Sequence, residues 1–288
     1  MTALWLAGAQ VASPVTDTTA AVDRLPDQAM ARPLDLRLER SADGRRRLRF
    51  TTSIVNIGDG PFETRSTRRS VREASMPVKQ RIYDSAGGYR VVMTPALATY
   101  SGDGHDHWHV QRVATYGLYD AANVLGPVAR SSKVGFCFFD TGPYRLSLPN
   151  APSSRRYGQG GCGSRSTLSL KHGISVGWAD RYGWELRYQS IDVTRLPAGE
   201  YLLKVTVDQN EYFVERSVTN NCNWTRFRLP SSGNPVTVLG WGAGCTLPGT
   251  APTPTPTPAP TPTAGPVLTP GVGVSPTPMA MARTGGSR

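Results

Sequence analysis

Short stretches in which apolar and polar residues alternate, separated by turn-forming segments, most limit what this chain can fold into. Leu34, Leu36 and Leu38 alternate with charged residues, and the alternation resumes at residues 47–50 after the Ser-Ala-Asp-Gly segment at 41–44. A period of two is typical of a half-buried β-strand, because successive side chains of a strand point to opposite faces. The two runs therefore predict a β-hairpin.

The same pattern recurs further along the chain. Residues 81–93 predict a second hairpin, and residues 186–193 and 201–207 predict a third. Residues 140–181, rich in Gly, Ser, Pro and Arg, predict a long crossing loop. The 30 Gly and 24 Pro of the 288-residue chain favour turns over long helices. We therefore expect an all-β fold, a sandwich-like antiparallel β domain with long loops.

Two apolar strands are predicted in the middle of the chain, at residues 110–120 and 133–139. The even-numbered face of the first strand is expected to pack into the core; it carries Trp108, Val110, Ala114, Tyr116 and Leu118.

Composition divides the chain into three parts. Residues 1–32 lack periodicity and predict a loose lead-in, and residues 33–247 predict the folded domain. Residues 248–288, which contain the Thr-Pro run 252–258, predict a disordered Thr/Pro-rich tail of the kind found in exported proteins. Residues 1–12 lack the basic start of a signal peptide, and no segment approaches the roughly 20 apolar residues of a transmembrane span.

Four cysteines indicate two disulfides and an oxidising compartment, so the protein is expected to be secreted or at the cell surface. Three connectivities are possible. The pairs Cys137–Cys162 and Cys222–Cys245 are favoured because each closes a loop of 23 to 25 residues. Each disulfide would stabilise the fold by about 3 kcal/mol in the chain-entropy model.

The formal net charge of +11 could attract nucleic acid, lipid headgroups or an anionic cell wall. The basic residues are scattered, and the run Arg65, Arg68, Arg69 and Arg72 is interpreted as ordinary solvated charge. Because no basic motif interleaved with aromatic residues is present, we expect no nucleic-acid partner, and an anionic cell wall stays a candidate.

Three of the four histidines fall at alternate positions, at His105, His107 and His109. In a strand they would share one face, where neutral imidazoles could bind zinc, copper, iron or nickel and leave positions open for a substrate. The outer two would lie roughly 13 Å apart in a flat strand, so a common metal ion requires a bend. The alternative is a polar strand face in water. His172, the remaining histidine, is interpreted as a loop residue.

Further motifs follow in an order that resembles the lysyl oxidase family. Lys133 comes 24 positions after His109 and begins Lys-Val-Gly-Phe-Cys-Phe-Phe-Asp. The tetrapeptide Asp180-Arg181-Tyr182-Gly183 is similar to the family's Asp-x-Tyr-Gly motif. Segments 189–194, 199–205, 220–221 and 244–246 continue the similarity, which covers residues 45–247 in all.

The resemblance implies a copper site at His105, His107 and His109 and a cofactor, lysine tyrosylquinone, formed from Lys133 and Tyr182. It also implies oxidative deamination of a primary amine, either a lysine side chain or a small amine. Oxygen is the acceptor, and aldehyde, ammonia and hydrogen peroxide are the products. Asp180 is the candidate catalytic base; its alternative role is a loop carboxylate that caps backbone amides.

One position departs from the family pattern. Animal members have a further histidine where this chain has Tyr116, so any catalytic role of that histidine is absent here or taken by another group. Two alternative functions stay open on the sequence, a non-catalytic metal-binding module of the cell surface and a zinc hydrolase. A blue-copper centre that uses Cys137 is an alternative metal site, but the chain has no well-placed methionine to serve as its axial ligand.

Overall fold

The computed structural model describes residues 20–101, 106–133 and 135–249. In this part of the chain the regular structure is β-strand, with one 3₁₀ turn at Gln159–Cys162 and no α-helix. The strands, in chain order, are β1 (Asp23–Arg24), β2 (Gln28–Met30), β3 (Leu34–Arg40), β4 (Arg46–Asn56), β5 (Phe62–Thr67), β6 (Ser75–Asp84), β7 (Tyr89–Ser101), β8 (His107–Gln111), β9 (Ala114–Asp120), β10 (Asn123–Arg130), β11 (Gly135–Phe136), β12 (Gly142–Pro143), β13 (Ser169–Ile174), β14 (Trp178–Tyr182), β15 (Ser190–Asp192), β16 (Gly199–Val207), β17 (Cys222–Leu229) and β18 (Thr237–Ala243).

The first sheet contains the histidine strand. Its order is β11-β8-β7-β6-β5-β13, with β1 paired to β6. The strands at its two ends are linked through the segment that follows β11, where the Gly173 amide of β13 donates to the Phe138 carbonyl at 2.9 Å. The sheet therefore curves enough to bring β13 back beside the chain that leaves β11.

Two further sheets complete the body. One has the order β10-β9-β16-β17-β18, and the other has the order β12-β14-β4-β15 with β2 and β3 also paired to β4. Each strand pair within the three sheets is antiparallel. The long strand β4 binds the third sheet together, because β14 and β2 pair with its second half and β15 and β3 with its first half.

A single large hydrophobic core lies between the sheets and receives side chains from all three. Alternation explains the choice of side chains: Trp108 and Val110 of β8 are fully buried, while the histidines take the other face of the strand. Burial of each such side chain stabilises the fold by roughly 1.5–3 kcal/mol. The largest fully buried aromatic residues are Trp108, Tyr116, Phe50, Phe62, Phe136, Phe138 and Phe227.

Two disulfides hold the loops, Cys137–Cys162 and Cys222–Cys245, which is the pairing that the loop lengths favour. The first joins the chain after β11 to the 3₁₀ turn, and the second joins the start of β17 to the segment after β18. The described part of the chain has no free cysteine.

The predicted all-β, antiparallel, disulfide-linked fold is confirmed, and so are the hairpins β3–β4 and β6–β7. All five residues of the predicted core face at 108–118 are buried. The strand is interrupted between β8 and β9, where Arg112 has a φ of 60°. This left-handed residue divides one predicted strand between two sheets.

Two strand predictions are wrong. Residues 140–181 are not one loop, because β12 and β13 lie within them and β14 begins there. The hairpin predicted over 186–207 does not form: β15 pairs with β4, whereas β16 pairs with β9 and β17. Alternation identified both strands, but it contains no information on which neighbour each strand selects.

The packed body begins before residue 33, since β1 and β2 fall within the segment expected to be a loose lead-in. Ala29 and Met30 of β2 are buried, and Met30 belongs to the main core. The predicted Thr/Pro-rich tail lies outside the described residues from residue 250 onward. Among the described residues, no helix has the length and apolar character needed to cross a membrane.

Candidate functional site

Strand β8 positions two of the predicted metal ligands, His107 and His109. The register pairs His109 with Thr99 and His107 with Ser101 of β7, while β11 lies on the other side of β8. Gly135 of β11 leaves space for the His109 ring, because a Cβ at this position would lie 2.8 Å from the Cβ of His109. The third predicted ligand, His105, lies outside the described residues.

The two imidazoles converge. Their Nε2 atoms are 2.9 Å apart, and their rings are nearly perpendicular with centroids 4.5 Å apart. At this distance the two nitrogens form a hydrogen bond, and the same convergence presents two imidazoles of the kind that zinc, copper, iron and nickel accept as ligands. The residues present therefore fit a transition-metal ion held by both rings.

Lys133 lies on the segment between β10 and β11, and its side chain points inward. It is only 7% exposed, and its Nζ lies 4.8 Å from the ring centroids of both Phe136 and Tyr182. Burying an ammonium group is costly unless it is compensated, and aromatic faces together with a nearby carboxylate provide part of that compensation. The lysine and the tyrosine that the sequence singles out 49 positions apart are thus neighbours in the fold.

Tyr182 and Asp180 share a hydrogen bond. They are two residues apart on β14, so their side chains leave the same face. The Tyr182 hydroxyl lies 2.6 Å from Oδ2 of Asp180 and 3.0 Å from the Cys137 carbonyl. Asp180 has no exposed surface, and its Oδ1 has no hydrogen-bond partner among the described residues.

Burial dominates the ionisation of this pair. It raises the pKa of Asp180 well above its usual value, although the Tyr182 hydroxyl and the charge of Lys133 oppose the rise. Burial also raises the pKa of Tyr182, and the negative charge of Asp180 raises it further. A carboxyl of raised pKa that shares a hydrogen bond with a phenol is a candidate group for accepting and returning a proton.

A second polar group, which sequence reasoning missed, lies beside this pair. The Tyr116 hydroxyl is 2.9 Å from Thr52 Oγ1, which also accepts a hydrogen bond from Gln189 at 3.0 Å. The ring of Tyr116 meets Phe136 edge-on, and Phe136 meets Tyr182 in the same way at 5.0 Å. The sequence signalled two members of this group, because Tyr116 stands where animal members of the family have a histidine and Gln189 begins one of the segments similar to the family; Thr52 gave no signal.

The loop interpretation of His172 is wrong. This histidine is in β13, paired with Thr64 of β5, and it is 1% exposed. One of its ring nitrogens lies within 4.8 Å of the sulfurs of Cys137 and Cys162. Because those sulfurs form a disulfide, they are not thiolates and do not offer the usual cysteine ligands for a metal.

Comparisons with known proteins point to one family. The family model described as "Lysyl oxidase" matches residues 92–238, which are 147 of the 288 residues. The chain is 26% identical over 185 residues to "Lysyl oxidase homolog 2" of Bos taurus, covering 64% of this chain and 18% of that protein. It is 30% identical over 158 residues to "Protein-lysine 6-oxidase" of Homo sapiens, covering 53% of this chain and 33% of that protein. The chain thus spans a third or less of the length of these relatives.

Proposed function

Because the chain belongs to the lysyl oxidase family, we propose that it is a copper- and quinone-dependent oxidase of primary amines, of the protein-lysine 6-oxidase type. One observation carries the proposal: the Lys133 amine approaches the Tyr182 ring to 4.8 Å from its centroid, inside the core. An amine and a phenol in such proximity are the two components from which lysine tyrosylquinone would be formed.

The metal in this proposal is copper, bound by His105, His107 and His109. The convergence of the two described Nε2 atoms supports it, as does the low exposure of His109, which is 7%. Imidazole is a suitable ligand for copper, and three protein ligands leave coordination positions free. His105 is included as the third ligand because it is the third member of the His-x-His-x-His motif.

Lys133 and Tyr182 are proposed to be crosslinked to each other, with two molecules of O₂ as the oxidant. The Tyr182 phenol would be oxidised to a quinone, the Lys133 amine would add to the ring, and the remaining oxygen would leave as water and hydrogen peroxide. Once formed, the cofactor would convert a primary amine and water to an aldehyde and ammonia, and O₂ would accept the two electrons and two protons as hydrogen peroxide. Burial keeps bulk water from the Lys133 amine and the Tyr182 ring, and the rings of Tyr182 and Phe136 orient the amine from two sides.

Asp180 is proposed as the base that handles protons at this site. Its Oδ2 accepts a hydrogen bond from the Tyr182 hydroxyl, and its Oδ1, which has no partner among the described residues, could accept a proton from the substrate carbon. Because burial raises its pKa, the ionised form of Asp180 is a stronger base than an exposed aspartate.

The substrate is proposed to be a lysine side chain or a small primary amine, with O₂ as the second substrate. Secretion or display at the cell surface is supported by the two disulfides, which persist in oxidising compartments. The excess of basic residues makes an anionic cell wall a candidate partner.

The test is to load the protein with copper, record its visible spectrum with phenylhydrazine, and measure peroxide release from a lysine-like amine. We expect a quinone adduct and peroxide from the wild type and neither from Lys133→Ala or Tyr182→Phe. Lys79→Ala, at an exposed lysine, and Tyr157→Phe, at a buried tyrosine away from the pair, are matched controls. Full activity in Lys133→Ala or Tyr182→Phe would refute the quinone assignment. Copper binding with no quinone adduct and no turnover would favour the non-catalytic surface module.

A further inference from the structure

His172 is a buried histidine whose ring has no hydrogen-bond partner. It is 1% exposed, and neither Nδ1 nor Nε2 meets a donor or acceptor among the described residues. A buried polar group left without a partner costs about 1–3 kcal/mol. A neutral imidazole has one nitrogen with a free lone pair, so the buried His172 ring could bind a metal ion through that nitrogen.

The residues around His172 connect it to β8, the strand that carries His107 and His109. Its neighbour Gly173 donates to the carbonyl of Phe138, two residues beyond β11, and β11 is paired directly with β8. Cys137, whose sulfur is near the His172 ring, lies between Phe138 and the residue that pairs with Val110. The backbone therefore brings β13 and β8 together through one short segment.

The His172 ring also interacts electrostatically with His107. A ring nitrogen of His172 lies within 4.8 Å of the Cys137 sulfur, and Cys137 directly follows Phe136, which pairs with Val110 beside His109. The sulfurs of Cys137 and Cys162 are bonded to each other.

We propose that His172 is a further imidazole ligand of the metal centre built on His107 and His109. The inference rests on the proposed function, because the metal is the one assigned there. It adds a residue from the opposite end of the first sheet, outside the His-x-His-x-His motif. Binding would satisfy the orphaned ring nitrogen and would connect β13 to β8 through the ion.

The experiment is a titration of the metal-free full-length protein with Cu(II), followed by binding measurements and by electron paramagnetic resonance of the bound ion. We expect His172→Gln to weaken copper binding about 10- to 100-fold, the range found when groups that support a metal site are lost. We also expect the spectrum to show one coordinated nitrogen fewer. His109→Gln, at a motif histidine, is the positive control.

Thr64→Ala is the matched control for packing. Thr64 faces His172 across the β5–β13 ladder, and its buried hydroxyl has no partner, so the change removes a polar neighbour but leaves the imidazole. Wild-type affinity and an unchanged spectrum in a folded His172→Gln protein would overturn the inference alone. A wild type that binds no copper would overturn the proposed function and this inference together.

Discussion

Two buried carboxylates, Glu63 on β5 and Asp180 on β14, have opposite surroundings. Glu63 is 1% exposed and accepts hydrogen bonds from Arg65, Tyr83 and Tyr157 at 2.7, 3.1 and 2.9 Å. Two further cations, Arg81 and Lys171, lie within 4.0 Å. Both carboxylate oxygens of Glu63 therefore have donors or cations beside them, as expected of a buried charge with a structural role.

Asp180 is equally buried but incompletely partnered. Only Oδ2 has a hydrogen bond, from Tyr182, and Oδ1 has no partner among the described residues. Such incomplete satisfaction costs stability, and natural folds tolerate it mainly where the group has chemistry to perform. The comparison suggests that Glu63 organises the sheet, whereas Asp180 is kept available.

Asp180→Asn should have the largest effect, on activity. The amide keeps the shape and the acceptor for Tyr182 but cannot take up a proton, so peroxide release should fall about 10²- to 10⁴-fold. The same assay on Glu63→Gln, corrected for the folded fraction, should give a rate close to wild type. Equal losses in the two variants would remove the distinction between the carboxylates.

Glu63→Gln should have the next largest effect, on stability. Losing the negative charge leaves Arg65 and Arg81 without their partner, and breaking a buried pair costs about 3–5 kcal/mol. Both arginines are partly exposed, at 32% and 26%, so solvent screening lowers the expected loss to about 3 kcal/mol. Urea denaturation measures it. A loss below about 1 kcal/mol, the size of a surface ion pair, would contradict the structural role of Glu63.

Part of this arrangement could be predicted from the sequence and part of it could not. Alternation predicted the core face of β8, and motif order predicted that Lys133 and Tyr182 act together. Their proximity depends on β11 and β14 meeting in the core, which involves residues far apart in the chain. Glu63 gave no signal, because its donors come from β5, β6, β13 and the segment before the 3₁₀ turn.

His172 shows the same limit. It falls in the segment 140–181, whose Gly, Ser, Pro and Arg content predicted a loop, and only the pairing of β13 with β5 buries the ring. Local patterns report the period of side chains along a strand, whereas burial of a lone polar residue is decided by which strands become neighbours.

A third prediction uses the pH dependence of stability to test the burial of Asp180. The pKa of Asp180 in the fold is above its usual value of 3.8, so the fold favours the protonated carboxyl. The stabilisation from the protonated Asp180 carboxyl is complete at a pH below the pKa of Asp180 in the unfolded chain. It is lost as the pH rises toward the pKa of Asp180 in the folded state. Wild-type stability relative to Asp180→Asn should therefore fall with rising pH above about 4, by up to about 1.4 kcal/mol per unit. Denaturation of both proteins at pH 5, 6 and 7 tests this, and a difference that is constant or grows would contradict it.

The smallest expected effects concern the two tyrosines that donate to Glu63. Tyr157 is 5% exposed and Tyr83 is partly exposed, and burial raises the pKa of both hydroxyls. A hydrogen bond to a charged group contributes about 1.5–3 kcal/mol when buried, so Tyr157→Phe should cost about 1.5 kcal/mol. Tyr83→Phe should cost about 0.5 kcal/mol, since water can replace its hydroxyl.

Both variants should keep wild-type amine oxidation, because neither hydroxyl contacts Lys133, Asp180 or Tyr182 within the described part of the chain. Thermal unfolding would rank their stabilities, and peroxide release would check the activity. If Tyr157→Phe lowered turnover while leaving stability intact, the Glu63 cluster would belong to the reaction rather than to the sheet. Glu63 and Asp180 would then be parts of one site.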